Sequence, residues 1–336
     1  MKVAAVVVGG FYFTLLTTAF SVLSVRSFFS SSETSEEKST TATPAATTNK
    51  KAFSDRTFNI LTGMTVGSAV ASIAMAAKGA STFVQTPLQS LYMLSVTLGT
   101  FVFGARLSPK FTKVVHPLVT CTSLTWLGAK IMALVTGQSF RTMLQSYKVG
   151  SLCPVHLGAG DILLFLLGPA VVALSCQMYD RKKLMKQNLA EVGTAVTVSS
   201  FGGLFGTAAM VRLLQIGNPM LRLSLLSRNI TSPLAMAIAG IFGADVSLAV
   251  SMVVVTGLIG ANFGASILDK FGITDAVARG LGIGAAAHGL GTAAFSKEPD
   301  AFPFAAISMA LTASACTVLV SIPAIKSILM KLAIGL

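Results

Sequence analysis

A chain of 336 residues with 53% hydrophobic side chains, 11% charged ones and a mean hydropathy of +0.76 cannot cover a water-facing surface, because soluble domains carry roughly 25% charged residues. Its apolar excess must meet lipid, which makes it an integral membrane protein. The formal charge of +13 comes from loop lysines and arginines, and without a basic run interleaved with aromatics it speaks for lipid headgroups, not nucleic acid. Cys121, Cys153, Cys176 and Cys316 lie at irregular spacing with no CxxC pair or histidine cluster. They read as packing residues and predict neither a disulfide framework nor a metal site.

The first element is an apolar run from Val3 to Leu23 behind Lys2, with small residues at Thr17, Thr18 and Ala19 before Phe20. That is a signal-like leader over 1–23, with a retained membrane helix as the alternative, since the run meets the spanning length of about 20 residues. Residues 24–56 contain SSSETSEEKSTTATPAATTNKK, a hydroxyl-rich tract with nothing to pack, predicted to be a disordered, transit-like linker. Together they resemble a two-part plastid leader, from which Glu33, Glu36 and Glu37 depart.

Charge-poor runs then follow at 57–77, 88–105, 114–136, 162–179, 192–211, 229–244, 246–268, 280–296 and 301–325. The expected fold is all-α: a polytopic membrane protein with about eight to nine transmembrane or re-entrant helices. Residues 57–86 form an additional membrane helix and 87–336 the main membrane domain. Glycines such as Gly202, Gly203, Gly206, Gly257, Gly260 and Gly264 are explained by close helix approach in lipid and receive no functional role. Counting spans places Lys50, Lys51, Arg56, Arg106, Lys110, Lys113, Arg181, Lys182, Lys183 and Lys186 on one face, expected to be stroma or cytosol. Lys130, inside a run, either snorkels to an interface or pairs with a polar group.

An internal echo suggests an inverted-topology repeat with interrupted helices. His116-Pro117-Leu118-Val119 and Ser232-Pro233-Leu234-Ala235 each open a run. Each is followed, after 52 and 59 residues, by Leu167-Gly168-Pro169-Ala170 and Leu290-Gly291-Thr292-Ala293. Interrupted helices survive in a bilayer where their freed backbone groups face water or a bound solute, and a half-helix N-terminus suits a carboxylate. Two polar breaks stand out: Arg228-Asn229-Ile230-Thr231-Ser232-Pro233, and Ala287-His288-Gly289-Leu290-Gly291-Thr292. Arg228, Asn229, Thr231, Ser232, His288, Gly289, Gly291 and Thr292 are therefore the candidate substrate-binding set. Arg279, Gly168 and Pro169 are candidates for substrate attraction or helix-end support. For His288 the alternatives are a substrate or proton role and a histidine bonded to a nearby carbonyl; for Arg228, a ligand role and an interfacial anchor.

At these residues the sequence resembles the LrgB/CidB family of membrane proteins, in particular its plastid glycolate/glycerate translocators. The matching strings are FLLGPAVVAL at 165–174, RNITSPLAMAI at 228–238 and DAVARGLGIGAAAHGLGTA at 275–293. Thr231-Ser232-Pro233 stands for the family's Thr-Thr-Pro and Ala287-His288-Gly289 for its Ser-His-Gly. The resemblance implies exchange of small 2-hydroxy monocarboxylates across the plastid inner envelope by alternating access, serving photorespiration. A holin-like pore or regulator, a pyruvate carrier, and a plasma-membrane location are the alternatives that bacterial relatives bring. Partners implied are glycolate, glycerate and the bilayer; a homo-oligomer and an LrgA-like membrane partner stay open. No enzyme, cofactor or metal is expected, because the acidic residues after Arg56 sit nearly all at segment ends and none forms an intramembrane acid/base pair.

Overall fold

The computed structural model describes residues 1–30, 53–79, 81–108, 111–112, 115–151, 153, 156–180 and 182–335. Most of the expected linker, and with it Lys50 and Lys51, lies outside the described residues, as do Lys110, Lys113 and Arg181. The described residues form helices and turns without a strand. Among the described residues seven helices are long and apolar enough to cross a membrane, and two shorter apolar helical stretches cover Ala159–Pro169 and Ser232–Phe242. This is the all-α polytopic architecture that the composition requires. The chain divides into two compact units, Thr40–Cys176 on one hand and Met1–Ser39 with Gln177–Leu336 on the other.

The unit formed by Thr40–Cys176 contains α2 (Asp55–Ala77), α3 (Thr82–Ala105), α4 (Pro117–Val135), the short α5 (Phe140–Tyr147) and most of α6 (Ala159–Asp180). Ser54 caps α2 by accepting from the Thr57 amide, and Ser139 caps α5 in the same way. Tyr92, Met93 and Val96 of α3 pack on Ala129, Met132 and Ala133 of α4, with Met143 and Ala159 closing the cluster. Hydroxyls tie the same faces: Tyr92 donates to the Gly128 carbonyl at 3.1 Å, and Thr100 and Thr125 are 3.1 Å apart. The Asp161 carboxylate accepts from the amides of Val149, Gly150 and Gly158 at 2.9 to 3.0 Å, which fixes the loop entering α6. Lys130 is exposed on α4, where a snorkelling side chain belongs.

The other unit is built from α1 (Lys2–Ser30), the short α7 (Lys182–Gln187), α8 (Leu189–Phe201), α9 (Thr207–Leu213), α10 (Pro219–Ser224), α11 (Ser232–Phe242), α12 (Val246–Lys270), α13 (Ala276–Ala294), α14 (Phe302–Ser321) and α15 (Pro323–Ile334). A π-helical stretch, Gly202–Gly206, joins α8 to α9, so Leu189–Leu213 is one span with a local widening. The run expected at 301–325 is instead broken in two. Pro323 holds Ile322 extended and stops α14, and a separate α15 follows.

Helix α13 is the centre of this unit. It is buried along nearly its whole length and apolar or small on every side, which is the signature of a helix enclosed by others. It packs against α1, α8, α12 and α14. Its glycines make this possible: a Cβ at Gly280 would collide with the Ala301 carbonyl and one at Gly284 with the Ala305 carbonyl. Among its described residues the unit has two apolar clusters, of which only the first includes α13. One joins Phe11, Leu15, Ala19 and Val22 of α1 to α13 and α14; the other joins the start of α1 to α9, α11, α14 and α15. The expected leader is thus seen as a helix seven residues longer at its end than the Val3–Leu23 run, inserted between core elements.

The echo between chain segments is mirrored only in part. Pro117 starts α4 and Ser232-Pro233 starts α11, as the first pair of motifs requires. The second pair differs, because Pro169 lies inside α6 while α13 has non-helical geometry at His288.

Candidate anion site

The chain reaches Arg228 through α10 and a 3₁₀ turn, Leu225–Ser227, and leaves it through Asn229 and Ile230 into the start of α11. Asn218 caps α10 and Pro219 opens it, so the turn is preceded by a rigid start. Leu225, Leu226 and Ile230 are buried apolar anchors that hold this non-helical stretch in the core. Between them Arg228 is fully buried and is the largest fully buried side chain of the described residues.

Its guanidinium is poorly matched for a buried cation. Nε donates to Thr207 Oγ1 at 3.2 Å and Nη2 to Thr14 Oγ1 at 3.4 Å, while Nη1 has no partner. Among the described residues no carboxylate forms an ion pair with it. The anchor alternative is removed by this burial, since an interfacial arginine keeps its head in water. A buried guanidinium is stable only when paired and hydrogen-bonded, and its forked donors match a carboxylate.

Asn229, next in the chain, donates Nδ2 to the Ala285 carbonyl of α13 at 3.3 Å, and its Oδ1 is buried without a partner. The two sequence breaks are therefore joined side chain to backbone. Thr231 is the N-cap residue of α11, yet its side chain does not bond the helix. With Pro233 lacking an amide hydrogen, the first turn of α11 keeps donor groups free for a solute. Thr231 and Ser232 are half-buried.

In α13 the break falls on His288 itself, at φ 43° and ψ −141°, although Gly289 is its neighbour. A positive φ on a bulky residue is strained by about 1–3 kcal/mol. The ring is held by a 2.8 Å contact between Nε2 and the Val253 carbonyl of α12. A carbonyl only accepts, so Nε2 carries the proton and donates, leaving Nδ1 as the acceptor in the neutral ring. This is the carbonyl-bonded alternative for His288, and it gives the side chain a holding function at the break. Thr292 donates to the Ala305 carbonyl at 3.4 Å, and Gly291 packs against Ala287 and Ile283.

Arg279 lies differently. Its Nε and Nη2 form a fork on Glu298 at 2.8 Å, Nη1 meets Asp269 at 2.6 Å and the Ile273 carbonyl at 2.8 Å. Its charge is already neutralised by two carboxylates, so of the two roles expected for it the geometry provides helix-end support. Gly168 and Pro169 belong to α6 and to the other unit; Gly168 has open space about its Cα.

Several residues at the site were given no role in it from sequence. Gly203, in the π-helical stretch, faces the Asn229 amide: a Cβ there would lie 2.7 Å from Nδ2. Gly257 faces His288, where a Cβ would lie 2.7 Å from Nε2. Both are close-approach glycines, as the sequence suggested, but what approaches them is a polar site residue. Thr207 and Thr14, which hold Arg228, gave no signal, because threonines in apolar helices ordinarily bond the preceding turn.

A model of the LrgB-like family matches residues 97–325. The chain belongs to the LrgB-like family. Both breaks, and the helices that hold them except α1, fall inside that match. Among relatives of this LrgB-like protein, "Plastidal glycolate/glycerate translocator 1, chloroplastic" of Arabidopsis thaliana is 40% identical over 243 residues, 71% of the chain and 46% of that protein. "Uncharacterized protein YwbG" of Bacillus subtilis is 31% identical over 159 residues, 47% of the chain and 70% of the relative. "Holin-like protein CidB" of Staphylococcus epidermidis is 26% identical over 239 residues, 70% of the chain and 96% of its own length. The chain thus spans less than half of the plant relative. Of these relatives, the two whose names give an activity are called a translocator and a holin-like protein, and neither is named as an enzyme. No solved structure matches the chain.

Proposed function

We propose that this LrgB-like protein is a carrier that exchanges small 2-hydroxy monocarboxylates, glycolate and glycerate, across the plastid inner envelope in photorespiration. The observation that carries the reading is the fully buried Arg228 with one guanidinium nitrogen unsatisfied and no carboxylate paired to it among the described residues. A substrate carboxylate would supply the missing partner, with a charge-assisted hydrogen bond to Nη1. The open Oδ1 of Asn229 would accept from the 2-hydroxyl, and Thr231, Ser232 and the first-turn amides of α11 would complete the seat. His288, Gly289, Gly291 and Thr292 shape the second break that Asn229 is tied to. Identity to the Arabidopsis translocator supports this substrate class and the plastid location. A buried site at broken helices supports alternating access, in which the site would open to each face in turn.

A holin-like pore is the second reading, favoured by the match to CidB over nearly its whole length. Glycerate uptake into proteoliposomes preloaded with glycolate, using the full chain, separates the two. Saturable, trans-stimulated uptake without leakage of a large fluorescent dye is the expected result. Dye leakage would overturn the carrier; uptake of pyruvate in place of glycerate would move the substrate class to 2-oxo acids. An imposed sodium gradient should leave exchange unchanged, and strict sodium dependence would refute the exchange mechanism.

A further inference from the structure

Helix α1 lies outside the stretch that matches the family, yet it touches the buried cation of the site. Thr14 Oγ1 donates to the Gly10 carbonyl one turn back at 2.9 Å. Its proton is thereby committed, and its lone pairs are left to accept from Arg228 Nη2 at 3.4 Å. Gly10 makes the approach possible, because a Cβ there would overlap Nη2 and Cζ of Arg228. Thr18, on the same face one turn on, is fully buried with its hydroxyl oxygen unpartnered.

The rest of the unit is shaped to receive this helix. Gly206 gives room to Phe13, where a Cβ would lie 3.0 Å from the ring; Gly260 gives room to Phe11 at 3.2 Å; Gly282 gives room to Ala19 and to the Leu15 carbonyl at 3.2 and 3.3 Å. These three glycines are on three elements within the family match, and each meets α1. Phe11, Leu15, Ala19 and Val22 are fully buried, a helical stripe facing the core. At the ends, Lys2 bonds the Gln215 carbonyl at 3.3 Å and Arg26 pairs with Asp275 at 3.5 Å.

We infer that α1 is a working wall of the anion site: Thr14 and Gly10 position the Arg228 guanidinium so that Nη1 points its donors at a bound carboxylate. The inference rests on the carrier reading above. It makes Thr14 a positioning residue acting through Arg228, and it requires α1 to remain seated in the transporting protein.

The test uses the full chain in proteoliposomes with labelled glycolate. Thr14→Val keeps the shape and removes the acceptor; it should raise KM about fivefold with maximal rate near wild type, as for a long hydrogen bond at 3.4 Å. Thr14→Ser should restore KM, and Val8→Ala, on the exposed face of α1, should change nothing. In parallel, the pair Ala19→Cys and Gly282→Cys should oxidise to a disulfide while transport continues. Thr14→Val with wild-type KM, alongside Arg228→Lys with severely impaired transport, would overturn the wall and leave the carrier standing. Wild-type transport in Arg228→Lys would overturn the carrier reading and the wall together. Failure of the cysteine pair to cross-link, or full transport by protein recovered from its own membrane without residues 1–30, would also overturn the seat of α1.

Discussion

Replacing Arg228 by Met should make the protein more stable and unable to bind its anion. Burying a charged group costs several kcal/mol after relaxation. The returns are two bonds, to Thr207 and Thr14, at 3.2 and 3.4 Å, which lie at or beyond the long end of the normal range and contribute about 1 kcal/mol each. With Nη1 unsatisfied, the anion-free protein carries a deficit on the order of 1–4 kcal/mol, the range regained when apolar side chains replace buried ions. Met fills a similar volume and leaves Thr14 bonded to Gly10. Wild type, in turn, should gain about 2.7 kcal/mol from glycolate at a hundred times its Kd. Thermal unfolding of the purified full chain, with and without glycolate, reads both quantities. Arg228→Met should unfold several degrees higher than wild type without anion, show no shift with glycolate, and fail to exchange it. A Met variant that unfolds lower than wild type without anion would refute the reasoning, because Arg228 would then be a structural strut with its needs already met.

Arg279→Gln should lower stability by about 1–3 kcal/mol, less than a fully buried pair would lose because Asp269 is exposed, with the KM for glycolate unchanged in uptake assays. Thr231→Val should reduce uptake without loss of folded protein; unchanged kinetics would remove Thr231 from the seat. Gly257→Val should displace the His288 ring from the Val253 carbonyl and depress the maximal rate, measured against protein amount in the vesicles. His288→Gly should relieve about 1–3 kcal/mol of backbone strain while losing about 1 kcal/mol of hydrogen bond and leaving a cavity that costs about 2–5 kcal/mol, because the ring is buried. A modest net loss of stability with impaired exchange is the expected result, and unchanged exchange would remove His288 from the break.

Much of this arrangement is legible from residue chemistry. Scarce charge sets the membrane class, and the two polar breaks are visible because Arg228-Asn229 and His288 interrupt apolar runs that otherwise carry nothing ionisable. What the sequence hides is pairing across distance. Arg279 and Arg228 look alike in a string of letters, yet one is closed by Asp269 and Glu298 and the other lacks a carboxylate partner among the described residues. The first is neutralised by side chains 10 and 19 residues away, which no local pattern announces. The same holds for α1. Its composition fits a leader and a spanning helix equally well, and only the glycines opposite Phe11, Phe13 and Ala19 distinguish a seated helix. Positive φ at His288 is hidden for another reason: Gly289 next to it is where the rule for left-handed backbone would place the break.

The site is expensive in two independent ways, and the expense falls where the two breaks meet. An unpaired guanidinium in the core and a histidine in strained backbone both lower the stability of the anion-free protein. Met would remove the first cost at similar size, and Gly would remove the backbone strain of the second though not replace its buried ring. Asn229 ties the two costs together through the Ala285 carbonyl, three residues before His288. A solute that satisfies Arg228 and Asn229 would therefore act on both breaks at once, by closing the donor and acceptor left open on α11's approach and pulling on the α13 turn that leads into the strained residue. For a carrier this coupling is useful: binding energy gained at the guanidinium can bias the backbone at His288 between two arrangements, as alternating access requires. A passive pore needs neither the buried charge nor the strain, because oligomerising small-residue helices are enough to build one.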